Sequence, residues 1–197
     1  MNRFILGLIP FAVFTTCYAD NDVSSISGSK NKNILLYFNG APEANTGTPA
    51  PKWKSFNDWC GTTCFPTTMF PLTDPVTNKT VGTARVWGKD MNISADGDTL
   101  CFTEFIEYKL SDGVIYTLGR QAGTCGTFMD ATLVPPISVK EPGVEELAGG
   151  GDGDIVGGEG KFAKIKGTYN DRVFVEFMNR STIVYYDALF FNLMISK

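Results

Sequence analysis

The chain has 197 residues, 43% of them hydrophobic, with 21 acidic against 17 basic residues and a net charge of −4. A mildly acidic chain without basic clusters is a poor match for nucleic acid or for anionic membrane surfaces. There is no histidine. That excludes Ser-His-Asp and Cys-His nucleophile activation and His-ligated metals, and leaves any catalysis to carboxylates, Lys, Arg, Tyr or a thiol.

Residues 1–19 have the layout of a secretory signal peptide. "MNR" carries the charge, "FILGLIPFAVF" is an apolar core too short to span a bilayer comfortably, and "TTCYA" offers a cleavage site ending at Ala19. Cleavage there leaves 178 residues with 16 basic and 21 acidic side chains, a net of −5, and enough chain for a single domain with its own core. No later run is apolar for long enough to cross a membrane, so the expected location is secreted, extracellular or periplasmic. Residues 20–33, "DNDVSSISGSKNKN", read as a flexible arm, and residues 34–197 as one domain.

Along that domain the apolar run 34–38 has strand length, and "NGAPEANTGTPAPKW" is a Pro/Gly/Asn loop. "DWCGTTCFP" is a tight turn between two cysteines. Strand-like segments recur at 67–72, 80–87, 99–110, 114–121, 161–178 and 182–195, with turn residues between them and a Gly/acidic loop at 140–154. No stretch keeps a helical period, so the pattern implies an all-β sandwich or barrel.

The hairpin "TLCFTEFIEYKLSDGVIYTLGRQ" is the most detailed local prediction. A three-residue loop, Ser111-Asp112-Gly113, places Leu110 opposite Val114, Tyr108 opposite Tyr116, Ile106 opposite Leu118 and Glu104 opposite Arg120. In that register one face is aromatic and carries a single carboxylate facing a single guanidinium. The same hairpin brings Cys101 within one bulge of Cys125. Once Cys17 leaves with the signal, Cys60, Cys64, Cys101 and Cys125 remain; of the three pairings they allow, strand geometry favours Cys60 with Cys64 and Cys101 with Cys125. The last strand, "TIVYYDALFFNLMIS", is apolar on both alternating faces, so it needs a partner beyond its own core, either a covering loop or another subunit.

The glycine-rich stretch "IVGGEGKFAKIKGTY" looks at first like a phosphate cradle. It lacks the spacing of a nucleotide loop and has Phe162 where a hydroxyl would hold magnesium, and nearby Glu159, Asp152 and Asp154 would repel phosphate without forming an EF-hand. The four thiols contain no CxxC pair. Neither metal nor cofactor is expected. Gly157, Gly158, Gly160 and Gly167 fit corners at which strands bend or approach one another closely, with Phe162 plugging inward.

The same stretch resembles the "GGTGKF…ARGY" signature of plant dirigent proteins, which recurs in the allene oxide cyclase barrel superfamily. Upstream, "DPVTNKTVGTARVWG" and "DGVIYTLGR" are similar to dirigent strand segments, so the resemblance runs collinearly over residues 74–169. It implies an eight-stranded antiparallel β-barrel, often trimeric, holding a small apolar or phenolic ligand. The chain departs from the family in having Lys166 at the arginine of "ARGY", in its four cysteines, and in the insertion after Cys125.

The expected function is a secreted barrel that binds a small hydrophobic or phenolic molecule and forms a homo-oligomer, trimer or dimer. The alternatives are an isomerase or cyclase acting in the lumen, and a host or surface interaction protein using the barrel as a scaffold. Catalytic candidates are Glu104 and Arg120; ligand-binding candidates are Tyr108, Tyr116, Lys166 and Tyr169.

Overall fold

A computed structural model describes residues 31–44, 49–129 and 142–196. The expected signal peptide, most of the expected N-terminal arm and much of the insertion after Cys125 lie outside the described residues. Among the described residues, eleven strands and one short helix follow in order: β1 (Asn31–Gly40), β2 (Glu43–Ala44), α1 (Phe56–Cys60), β3 (Phe65–Asp74), β4 (Lys79–Ile93), β5 (Thr99–Leu110), β6 (Gly113–Gly119), β7 (Thr124–Phe128), β8 (Val144–Gly150), β9 (Asp152–Gly160), β10 (Lys166–Met178) and β11 (Thr182–Ser196).

Every pairing is antiparallel, and the ring β11–β1–β3–β4–β5–β6–β9–β10 closes because β10 pairs with β11. β7 continues the line of β6 along the first half of β5, and β8 continues that of β9 along the second half of β10. β7 and β8 pair with each other, so the two broken strands act as two bent staves. The result is a closed eight-staved antiparallel β-barrel, in which no central stave has a bare edge.

The hairpin differs from its expected register by one residue. Leu110 pairs with Gly113, Lys109 with Val114, Tyr108 with Ile115 and Glu107 with Tyr116. The reason is Gly113. It belongs to the ladder rather than to the turn, pairs also with Gly160 of β9, and a Cβ there would lie 2.1 Å from the Glu159 carbonyl oxygen. Its glycine therefore serves a close approach between staves, and the loop shrinks to Ser111 and Asp112. A one-residue slip sends each partner side chain to the opposite face, so Tyr108 points inward and Tyr116 outward.

The expected acidic loop is largely strand, since β8 starts at Val144 and β9 at Asp152. Lys161–Ile165, expected to be strand, is instead a turn that caps one end of the barrel. Phe162 and Ile165 are buried there as part of the main core cluster, so Phe162 does plug inward. Gly167 (φ +143°) lets β10 pass so close to β11 that a Cβ would meet the Met194 carbonyl oxygen at 1.9 Å.

On β11 the alternation breaks at bulges around Val184 and Asp187. Ile183, Tyr186, Leu189, Phe191, Leu193 and Ile195 consequently face inward. Phe190 and Met194 remain outside, 41% and 37% exposed, beside Leu35 and Phe174.

A second apolar cluster covers the opposite outer wall. A strap of residues 49–64, containing α1, lays Trp53, Phe56 and Trp59 on Trp87, Phe105 and Tyr116. The Cys60–Cys64 disulfide closes the strap, and Arg85 holds its start by donating to the Pro49 carbonyl oxygen at 2.9 Å. Cys101 and Cys125 are bonded and stand directly opposite each other on β5 and β7. This bridge spans a separation of 24 residues, and replacing both cysteines by serine is expected to cost about 3 kcal/mol. Denaturant unfolding checks this; a loss below about 1 kcal/mol would show that the β5–β7 pairing holds without it.

Candidate functional site

The barrel interior is half filled and half hollow. Towards the capped end, Leu72, Tyr108, Ile115 and Tyr169 fill the space. Towards the other end lies a cavity of about 140 Å³ whose wall is mainly Phe65, Phe70, Val86, Phe102, Val175, Phe177, Tyr186 and Phe191. An apolar cavity of roughly 150 Å³ accommodates a benzene ring. The hollow therefore has the capacity for one small ring system.

Where the hollow meets the filled half, the floor is acidic. Glu104 from β5 and Asp171 from β10 both line the cavity, 3% and 5% exposed, and hydrogen-bond to each other. Tyr169 stands behind them and donates to Glu104 Oε1 at 2.7 Å.

The glycine run between β8 and β9 supports the second acid. The Gly151 N–H donates to Asp171 Oδ1, and the Asp171 N–H donates back to the Gly151 carbonyl oxygen at 3.0 Å. Only glycine fits: a Cβ at Gly151 would lie 2.4 Å from Thr124 Oγ1 and 3.0 Å from Glu104 Oε1. These glycines cradle a carboxylate of the chain itself.

Burial pushes the Glu104 carboxyl well above the usual carboxylate range, and the neighbouring Asp171 charge pushes it further, while the Tyr169 hydrogen bond pulls it back. Asp171 is also raised by burial, with the Gly151 N–H opposing the shift. Both carboxyls are held above the usual range, Glu104 the further of the two, so Glu104 is the first of the pair to hold a proton. Burial and the same acids raise Tyr108 and Tyr169, and burial first of all pushes Tyr186 up to about 12, so these phenols stay protonated. The hydroxyls of Tyr108, Thr117 and Thr124 are buried without a well-formed hydrogen bond. Thr124 lines the cavity beside Glu104.

Of the residues expected at the site, the structure brings together Glu104, Tyr108 and Tyr169. Arg120 is not among them. It follows β6 on the surface, its side chain 75% exposed, and pairs with Asp152 at 2.9 Å. The register slip explains this: the carboxylate facing a guanidinium across a strand pair is Glu107, bound by Arg85 at 2.6 Å on the outer wall beneath the strap. Tyr116 also lies outside, donating to Glu159 at 2.7 Å. Lys166 is exposed at the start of β10, away from the lumen. Asp171 escaped the sequence reading, although "TYNDRVFVEF" alternates Tyr169, Asp171, Val173, Val175 and Phe177, all inward. One carboxylate in an otherwise apolar period-two row was the available signal.

No family model matches the chain, and no curated protein matches it. Among solved structures it is similar to the pterocarpan synthase dirigent protein GePTS1, with 16% identity and a TM-score of 0.39 over 85% of this chain and 86% of that one. The fold itself rests on the strand pairing: a closed eight-staved antiparallel barrel, the architecture that the dirigent resemblance implies.

Proposed function

We propose that the protein is a secreted barrel that binds a small hydrophobic or phenolic molecule in the open half of its lumen. The supporting observation is the hollow itself, an apolar chamber of about 140 Å³ that ends on a polar floor. Chambers with this division of labour hold the body of a ligand by burial and orient it by a few polar contacts. The bare outer face around Phe190, Phe174 and Leu35 is where copies of the chain associate in this reading.

Val175 lines the chamber, and Val175→Phe fills part of it. The variant is expected to lose at least tenfold in affinity for a benzene-sized probe such as benzyl alcohol, while its melting temperature does not fall. Titration followed by NMR measures the first and thermal melts the second, and native mass spectrometry of the same sample counts subunits. Unchanged probe affinity in a folded variant would remove the lumen from the proposed function.

A second reading is favoured by one observation, the two buried carboxyls of Glu104 and Asp171 side by side in the cavity wall. A buried acid beside a bound ring can transfer a proton, which is the chemistry an isomerase or cyclase in this lumen would use.

A further inference from the structure

We propose that the lumen selects a small apolar amine, held as its ammonium ion by Glu104, Asp171 and Thr124. The inference rests on the reading of the lumen as a ligand site and assigns that ligand a charge.

Glu104 and Asp171 are buried side by side on the cavity floor, and with one proton between them two adjacent carboxyl groups carry a net charge of −1. Among the described residues, neither acid has an ion-pair partner, and no Lys or Arg lines the cavity. Arg172, next in sequence to Asp171, has an exposed position and bonds the Asp171 main-chain carbonyl oxygen. Apart from the acids, the cavity wall offers only the hydroxyls of Thr67, Thr68, Thr124 and Tyr186. The phenols of Tyr108 and Tyr169 stand behind the floor and are held protonated by burial. The chamber therefore holds its acids with no cation inside it, the charge that acts on Asp171 coming from the exposed Arg172 outside the wall, and a cationic ligand in the chamber would relieve their burial directly.

Donor counting points the same way. An ammonium group has three N–H donors and no acceptor. The floor offers three acceptors to match: a carboxylate oxygen of Asp171, a carboxyl oxygen of Glu104, and Thr124 Oγ1, a buried hydroxyl whose interaction with Glu104 leaves its oxygen lone pairs available. A phenol or alcohol supplies one donor and leaves the charge uncompensated. The size of the hollow limits the apolar part to about one ring.

The test uses the disulfide-bonded mature protein and two probes of nearly equal shape, benzylamine and benzyl alcohol. Benzylamine is expected to bind at least tenfold more tightly near neutral pH. The preference should shrink as the pH is lowered and the pair takes up its second proton. In the double variant Glu104→Gln, Asp171→Asn the preference, read as the ratio of the two probe affinities, should vanish. If that variant does not fold, the comparison of the two probes on the natural chain decides. Equal affinities, or a preference for the alcohol, would overturn the amine assignment and leave the lumen as a binding site. Failure of both probes to bind would overturn the amine assignment and the lumen reading together.

Discussion

Glu104→Gln is expected to make the protein more stable at neutral and alkaline pH and to leave its stability nearly unchanged around pH 4. The folded state raises the Glu104 carboxyl well above its ordinary value, first by burial and then through Asp171. Between the ordinary value and the raised one, the folded chain holds a proton that the unfolded chain has lost. Stability is therefore full below the unfolded value and declines as the pH rises through the folded one. Asp171, also raised, adds to the slope in the same direction. Asp96 is lowered and works the other way, but it lies at a fully exposed turn where solvent screens its contribution.

Glutamine keeps the shape and the donor of the protonated acid, and its amide oxygen can still accept from Tyr169. Leaving a buried polar group without full compensation costs about 1–3 kcal/mol, more when it is charged, and the amide removes that cost where the carboxyl would ionise. A gain in that range is expected at pH 8 and almost none at pH 4. Urea unfolding at several pH values measures it. A variant equally destabilised at every pH would show that the carboxyl group is needed for structure in both protonation states.

The staves were legible because their signals are local. Alternation and turn residues mark β3, β4, β5 and β11 within a few positions, and both disulfides follow from where those turns fall. Register was not legible, because it depends on a neighbour remote in sequence. Ser111-Asp112-Gly113 looks like a glycine turn until β9 is placed against it, when Gly113 is seen to be required by the Glu159 carbonyl oxygen. That single residue decided which β6 side chains join Glu104 and Tyr108 on the inner face: Ile115 and Thr117, rather than Tyr116 and Arg120.

β8 and β9 were hidden for a related reason. "VEELAGG" and "DGDIVGGEG" have little intrinsic strand preference and are extended because β6, β7 and β10 pair with them. Asp171 could be assigned to the lumen only once β10 had a register. The resemblance to dirigent proteins anticipated the closed barrel. It carried no information about this acid pair, whose residues arise from two strands that meet only in the folded chain.

Phe105→Ala is expected to cost about 3–5 kcal/mol, the range for emptying a fully buried aromatic site. Phe105 is 0% exposed and central to the outer cluster. Its ring centroid lies 5.0 Å from that of Phe56, 5.2 Å from Trp53, 5.6 Å from Trp59 and 5.9 Å from Trp87. Three of those partners belong to the strap, so the loss concentrates where the strap meets the barrel. Limited proteolysis should then cut within residues 49–64 faster than in the natural chain. The lumen should be little affected, because Glu104 and Ile106 of β5 project to the other side of the sheet and keep the inner wall in place. Benzyl alcohol affinity is therefore expected to stay within about threefold, since the strap adds no atom to the chamber wall. Loss of probe binding together with the strap would show that the outer cluster holds the chamber open, and that the two faces of β5 act as one unit.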